Sequence, residues 1–217
     1  MSSRLLGLVV APLLAGAVVA SDAPRPFQID RAHSEINFTA YAPLLDAHGF
    51  FDSFTVNVAF DPDTVANSTV EILIDPKFIN TRAARRDAHL KTCDFFCVDS
   101  FPQIAFKSNK VTRVGPDRYN VDGTITMRGV TKPLTIPGRL VFNEGGRARF
   151  NGTFKLNRKD FGVNGNGGGG IIDDTVDVAF NFTLGDPAMR RGRGGPGAPP
   201  PPASAAPGTP PAAPRGQ

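Results

Sequence analysis

Thr81–Ser108 reads TRAARRDAHLKTCDFFCVDSFPQIAFKS, and it is the longer of two stretches between residues 21 and 185 that break the two-residue alternation of strands. Arg82–Lys91 has the composition of a short helix, with three alanines and a leucine. Asp87 and Lys91 stand four apart, the spacing of a supporting ion pair. Arg85, Arg86, Asp87 and His89 fall within five residues, followed by Phe95, Phe96 and both cysteines of the chain, Cys93 and Cys97. Pro102 ends the irregular part and Gln103–Lys107 resumes as a strand. One amphipathic plug among strands is what a barrel needs to close an end, so the segment reads as the lid of an apolar cavity.

Outward from this insert, apolar and polar residues alternate in run after run. The apolar sets are Ile36, Phe38 and Ala40, then Phe54, Val56, Val58 and Phe60, then Val70, Ile72 and Ile74. Ile104 and Phe106 follow, with Val121, Ile125 and Met127, and then Leu134, Ile136, Leu140 and Phe142. Beyond Glu144-Gly145-Gly146 come Phe150, Phe154 and Leu156, and the most regular run closes the series with Val176, Val178, Phe180, Phe182 and Leu184. Each run predicts a strand with one buried and one wet face. Asp61-Pro62-Asp63, Gly115-Pro116-Asp117, Gly129 and Gly145-Gly146 mark turns between them. About eight antiparallel strands of this kind leave a sandwich or a closed up-and-down barrel. Short turns and the in-strand glycines Gly123, Gly138 and Gly152 favour the barrel. At that size its interior is filled by its own side chains or holds one slender ligand.

The two ends of the chain differ from this pattern. Met1–Ala20 has an early cation, Arg4, an apolar stretch from Leu5 and small residues before Ser21, which predicts a cleaved signal peptide and a periplasmic or secreted protein. Gly7, Pro12 and Gly16 break a stretch that is also short for a bilayer span. Residues 186–217 are almost wholly Pro, Gly, Ala and Arg, a composition that cannot bury a core and predicts a disordered tail. The tail holds four arginines to one aspartate and the leader one arginine, so the net charge of +4 leaves residues 21–185 neutral. The basic balance is thus no argument for nucleic acid as a partner of the domain.

Catalytic patterns are missing from the sequence. His33, His48 and His89 are scattered without metal-ligand spacing, no G-x-S-x-G occurs, and two cysteines are two ligands short of a structural zinc site. No metal and no cofactor are expected. Asn157–Asp174 holds six glycines, but no lysine-containing phosphate loop and no helix follow it, so it reads as a gate or linker at a barrel mouth. Cys93 and Cys97 are compatible with a small disulfide loop or with two free, half-buried thiols. Seventeen phenylalanines against two tyrosines and no tryptophan supply large dry side chains, which either fill the core or line a tunnel for a hydrocarbon.

Further motifs bring in a resemblance. Asp30-Arg31-Ala32-His33-Ser34 with Ile36 and Phe38 resembles the opening of the YceI-like family, lipocalin-like polyisoprenoid-binding proteins of the bacterial periplasm. Gly49–Phe60 with Asp61-Pro62 is similar to the family's second strand, and Arg86–Lys91 with Asp94-Phe95-Phe96 and Phe101-Pro102-x-Ile104-x-Phe106-x-Ser108 to its central block. Tyr119-x-Val121-x-Gly123, Gly129–Pro133 and Arg158-x-Asp160-Phe161-Gly162 continue the likeness, which spans nearly all of Phe27–Leu184. Cys93 and Cys97 depart from it, standing where small polar or acidic residues are usual.

The resemblance implies an all-β, up-and-down antiparallel barrel of about eight strands, with the helical insert capping one end. A polyisoprenoid, quinone-like or similar amphiphilic lipid would lie inside, and no catalytic residues are implied. The expected lumen wall is Ile36, Phe38, Phe54, Val56, Val58, Ile72, Ile104, Phe106, Ile125, Leu134, Ile136, Phe154 and Phe180. The expected head-group residues at the mouth are His33, Arg86, Asp87, His89 and Arg158. Lipid transport by a monomer or homodimer with transient membrane contact is the leading expectation. An exported enzyme using His33, His89 or the cysteines, and a stress-response module recruiting partners through the arginine tail, are its rivals.

Overall fold

The computed structural model describes residues 25–166 and 172–186. The expected signal peptide, the glycines at 167–170 and the expected tail beyond Asp186 lie outside the described residues.

The alternating runs form strands β1 (Arg25–Ile29), β2 (Glu35–Ala40), β3 (Ala47–Phe51), β4 (Phe54–Phe60), β5 (Thr69–Ile74), β6 (Ile79–Asn80), β7 (Ile104–Arg113), β8 (Arg118–Met127), β9 (Val130–Glu144), β10 (Arg147–Asn157) and β11 (Thr175–Gly185), and the insert forms helix α1 (Ala84–Lys91). Every pairing is antiparallel, and the sheet closes on itself where β1 meets β11, Ile29 opposite Leu184. β1 and β2 both lie along β11, so they are two halves of one long strand; β3 and β4, and β5 and β6, are halves in the same way. Counted so, the barrel has eight staves in chain order, an up-and-down meander; a sandwich is excluded.

The three breaks lie side by side. The Arg31 guanidinium in the first donates to the Asp52 carbonyl in the second at 2.9 Å, and the Asp52 amide donates to the Phe78 carbonyl in the third at 3.0 Å. The third break is itself built by Asp75, whose carboxylate accepts from the Lys77 amide ahead of Pro76. These staves therefore kink together, and β6 ends the sheet with α1 packed against it.

The barrel is packed solid at one end only. Phe60, Tyr119 and Phe150 meet edge to face, with centroids 5.5–6.2 Å apart, and Val111 packs with them. The larger cluster occupies the rest of the interior. Glycine is required at Gly152, where a Cβ would stand 2.1 Å from the Pro137 carbonyl oxygen and against the Phe180 ring. From Gly152 onward β10 pairs only with β11, because Pro133 and Pro137 of β9 carry no N–H to donate.

Two expectations are corrected. Asp87 does not pair with Lys91; its carboxylate turns back to accept from the Thr81 amide at 2.8 Å and from the Thr81 hydroxyl. Phe142 does not face inward: a bulge opposite Arg149-Phe150 shifts the register, so Leu140 points in and Phe142 is 46% exposed.

Candidate functional site

Between the aromatic end and α1 lies a cavity of about 760 Å³. That falls within the range of small-molecule sites, roughly 300–1,000 Å³. Alternate residues of each stave supply its wall: Ile36, Phe38 and Ala40 of β2, Ile72 and Ile74 of β5, Ile104 and Phe106 of β7, Ile125 and Met127 of β8, Leu134 and Ile136 of β9, Phe154 and Leu156 of β10. On β11, Val176, Val178, Phe180 and Phe182 line it in succession. At about 3.3 Å per residue, that is a depth of roughly 20 Å along the strand. Val176, Val178 and Phe180 point inward yet are only half-buried, since the surface they present borders a hollow.

Helix α1 and the turns after it close the other end. Leu90, Phe95 and Phe96 face the cavity, and the Phe96 ring meets Phe51 of β3 edge-on at 6.0 Å. Arg86 donates to the Thr81 hydroxyl at 2.7 Å and carbonyl at 2.8 Å, which ties the helix to the end of β6. The His89 ring stands edge-on to Phe95 at 5.0 Å and bonds Asp94 at 3.0 Å. Cys93 and Cys97 are joined by a disulfide, their Cα atoms 3.8 Å apart, with Cys97 buried. Arg128, in the β8–β9 turn, reaches the carbonyls of Phe95 and Gly162 and bolts this lid to the segment after β10.

Arg158 is the most enclosed charge at the mouth, 5% exposed. Its guanidinium donates to the carbonyls of Val163, Gly165, Ile172 and Asp173 at 2.7–3.0 Å. Burying a charge is costly unless every proton finds an acceptor, and here carbonyls from both sides of the glycine run meet that demand. Arg85, Arg86, Arg158 and His89 border the cavity, while among the described residues no carboxylate does. Arg86 is committed to the hydroxyl and carbonyl of Thr81 and Arg158 to backbone carbonyls; Arg85 has no hydrogen-bond or ion-pair partner among the described residues. On the outer wall by the mouth, Tyr41 and Lys155 both donate to Asp177. The Lys155 bond and then the Tyr41 bond hold the Asp177 carboxyl below its ordinary range. The same contact raises the Lys155 ammonium and the Tyr41 phenol.

Of the residues expected in the lumen, ten border the cavity: Ile36, Phe38, Ile72, Ile104, Phe106, Ile125, Leu134, Ile136, Phe154 and Phe180. Phe54 and Val56 are instead packed beside it, Phe54 against Phe182 at 6.0 Å, and Val58 lies partly buried between the two clusters. Arg86, His89 and Arg158 come together at the mouth. Asp87 is there but faces Thr81, and His33 is not brought there: it sits 72% exposed on the first break, paired with Asp30 at 3.1 Å. The wall also includes Val176, Val178 and Phe182, which share the parity of Phe180 and were readable from it. Phe51 and Ile172 carry no such signal, since one lies beside a break and the other in an irregular segment. Among the described residues no cluster of three or more metal-binding side chains occurs, and no helix is long and apolar enough to cross a membrane.

The family model for the YceI-like domain matches residues 27–184, all but the outermost residues of the barrel. The chain belongs to the YceI-like family. Protein YceI of Shigella flexneri is 34% identical over 176 residues, covering 75% of this chain and 88% of that protein. A UPF0312 protein of Vibrio parahaemolyticus is 33% identical, covering 77% and 90%. Among solved structures, BcnA of Burkholderia cenocepacia superposes with a TM-score of 0.67 at 26% identity, over 71% of this chain and 98% of BcnA. A polyisoprenoid binding domain from Saccharophagus degradans, implicated in plant cell wall breakdown, shares the fold at a TM-score of 0.59 and 16% identity, over 74% and 98%. The closed eight-stave barrel is thus an architecture that this YceI-like protein shares with its structural neighbours.

Proposed function

We propose that this chain is an exported carrier that encloses one polyisoprenoid or similar amphiphilic lipid, tail in the barrel and polar end at α1. The observation that carries this reading is the cavity of about 760 Å³ walled by aliphatic and aromatic side chains, with its cations gathered at one mouth. Each methylene moved from water into such a wall contributes about 0.8 kcal/mol. About ten of them match the roughly 8 kcal/mol of micromolar binding, with longer tails offsetting the cost of association. A site whose arginines Arg86 and Arg158 are spent on the fold, and whose wall is otherwise almost wholly apolar, suits binding rather than turnover. The polyisoprenoid-binding neighbour supports the ligand class, and the leader-like Met1–Ala20 together with the Cys93–Cys97 disulfide supports export to an oxidising compartment.

Native mass spectrometry of the protein purified from a membrane-containing host is the direct test. A co-purified apolar adduct, exchangeable for added geranylgeraniol, is the expected outcome. A lipid-free spectrum with no uptake of that prenol removes the proposal.

A further inference from the structure

The loop joining β2 to β3, residues 41–46, stands at the cavity mouth: Ala40 and Ala47, which pair with each other at its base, both line the cavity. Its tip carries Leu44 and Leu45, 89% and 74% exposed, the two most exposed large apolar side chains among the described residues. Isolated surface leucines need no explanation, but two in succession on the rim of an apolar cavity do. The loop is not loose chain. The Tyr41 carbonyl accepts from the Asp173 amide at 2.9 Å, and the Tyr41 hydroxyl is held by Asp177, so the tip is presented from a fixed base.

We propose that Leu44 and Leu45 are a docking prong that inserts into a lipid bilayer and seats the barrel mouth on the membrane surface. The proposal rests on the lipid-carrier reading and adds where the carrier loads. A hydrocarbon cannot cross water to reach the lumen at a useful rate, and a prong beside the opening shortens that passage. The charges on the rim are arranged to suit. Arg82, its guanidinium over the Phe50 ring at 5.5 Å, and Arg85, which has no partner among the described residues, lie on the α1 side, where lipid phosphates are the complementary groups. Asp46 accepts from the Ala42 amide within the loop and stays at its base. A second copy of the chain is the poorer occupant: stable interfaces bury about 1,200–2,000 Å², far beyond what two leucines at a tip supply.

The chain has no tryptophan, so Leu44→Trp places the only indole at the tip. Phosphatidylcholine vesicles should shift its emission to the blue, and brominated lipids should quench it. Leu44→Asp with Leu45→Asp should lower vesicle association on the order of a hundredfold. It should slow extraction of geranylgeraniol from those vesicles while leaving uptake from detergent unchanged. Both chains carry the same arginine-rich residues 190–215, so any attraction from that segment is common to the comparison. An unshifted Leu44→Trp spectrum while prenol is still extracted overturns the prong. So does a double variant that loses self-association but binds vesicles normally. Failure of uptake even from detergent would instead overturn the carrier reading, with the indole emission still deciding the docking.

Discussion

Val178→Trp distinguishes a hollow barrel from a filled one. Val178 sits on β11 opposite Phe38 of β2 and Phe154 of β10, and all three side chains border the cavity. A tryptophan buries roughly 150–250 Å². If about 100 Å² of that is new contact with the lumen wall, the transfer contributes about 2.5 kcal/mol. Ordering the side chain costs up to about 1 kcal/mol. The lipid-free protein should therefore gain about 1.5 kcal/mol, which raises Tm by roughly 3–6 °C for a domain of this size. Val56→Trp is the control. Val56 is 2% exposed in packed core and does not border the cavity, and overpacking such a site costs about 1–3 kcal/mol. Urea and thermal unfolding of the two delipidated variants measure both effects, since bound lipid would itself raise Tm. The new indole would also displace about four methylenes of a bound tail, weakening prenol binding by about 3 kcal/mol, roughly a hundredfold. If Val178→Trp destabilises the protein as much as Val56→Trp does, the lumen is closed in solution and the argument for a carrier fails with it.

Replacing Arg158 by Met removes the donors that hold the carbonyls of Val163, Gly165, Ile172 and Asp173. Stability should fall by about 3 kcal/mol, with protease cleavage between residues 163 and 173; Lys should fail to rescue, since one ammonium cannot span four carbonyls. Asp61 accepts from the amides of Thr64 and Asp63 and from Asn67, and these bonds, the Thr64 amide foremost, hold its carboxyl below the ordinary 3.8. Its folded value is the lower one, so its contribution is full above about pH 4 and is lost as pH falls through that depressed value. Unfolding of Asp61→Asn followed from neutral to acid pH should show a shallower acid limb. The disulfide closes a loop of five residues, for which chain entropy gives about 2 kcal/mol. Reductant should lower the urea midpoint of the native protein accordingly and leave Cys93→Ser/Cys97→Ser unaffected.

The strands were legible because the signal for them is local. Val176 to Leu184 alternates so regularly that its inward face is known without a partner. The helix was legible from Arg82–Lys91 for the same reason. What an inward side chain does was not, since that depends on what stands across the barrel. Phe150 and Phe154 lie four apart on β10 with the same parity, yet Phe150 meets Phe60 and Tyr119 while Phe154 borders open space. Phe54 and Phe38 divide in the same way. That difference is set by register between strands far apart in the chain. Phe54 and Val56 stand opposite Ile74 and Ile72, which line the cavity, yet are themselves covered by other core side chains, Phe54 by Phe182, and so leave the lumen they were expected to line. His33 was carried to the mouth by its place in a motif, whereas the structure uses it on an exposed turn beside Asp30. The two cysteines could not be decided from spacing; the bridge depends on a turn in which Cys97 takes φ +50°.

The two ends of the barrel differ in side-chain size, and that difference orders the proposed function. At the far end, aromatic residues reach across and meet. At the mouth the inward residues include Ala40, Ala47, Leu156 and Val176, too small to touch over the same width, so the gap is spanned by α1 instead. On the proposed function a lipid tail entering such a tube would run against Phe60, Tyr119 and Phe150 and stop, with its polar end beside Arg85. The lid over it is held to the barrel by Arg128 and by the Thr81–Asp87–Arg86 bonds, which would have to yield for it to swing open, and is stiffened within by the disulfide. Release on the proposed function is therefore by threading past the rim between α1 and the β2–β3 loop, with α1 in place. On that account Cys93→Ser/Cys97→Ser should weaken the fold while leaving the rate of prenol transfer near that of the native chain. A severalfold faster transfer would mean that the lid itself is the gate.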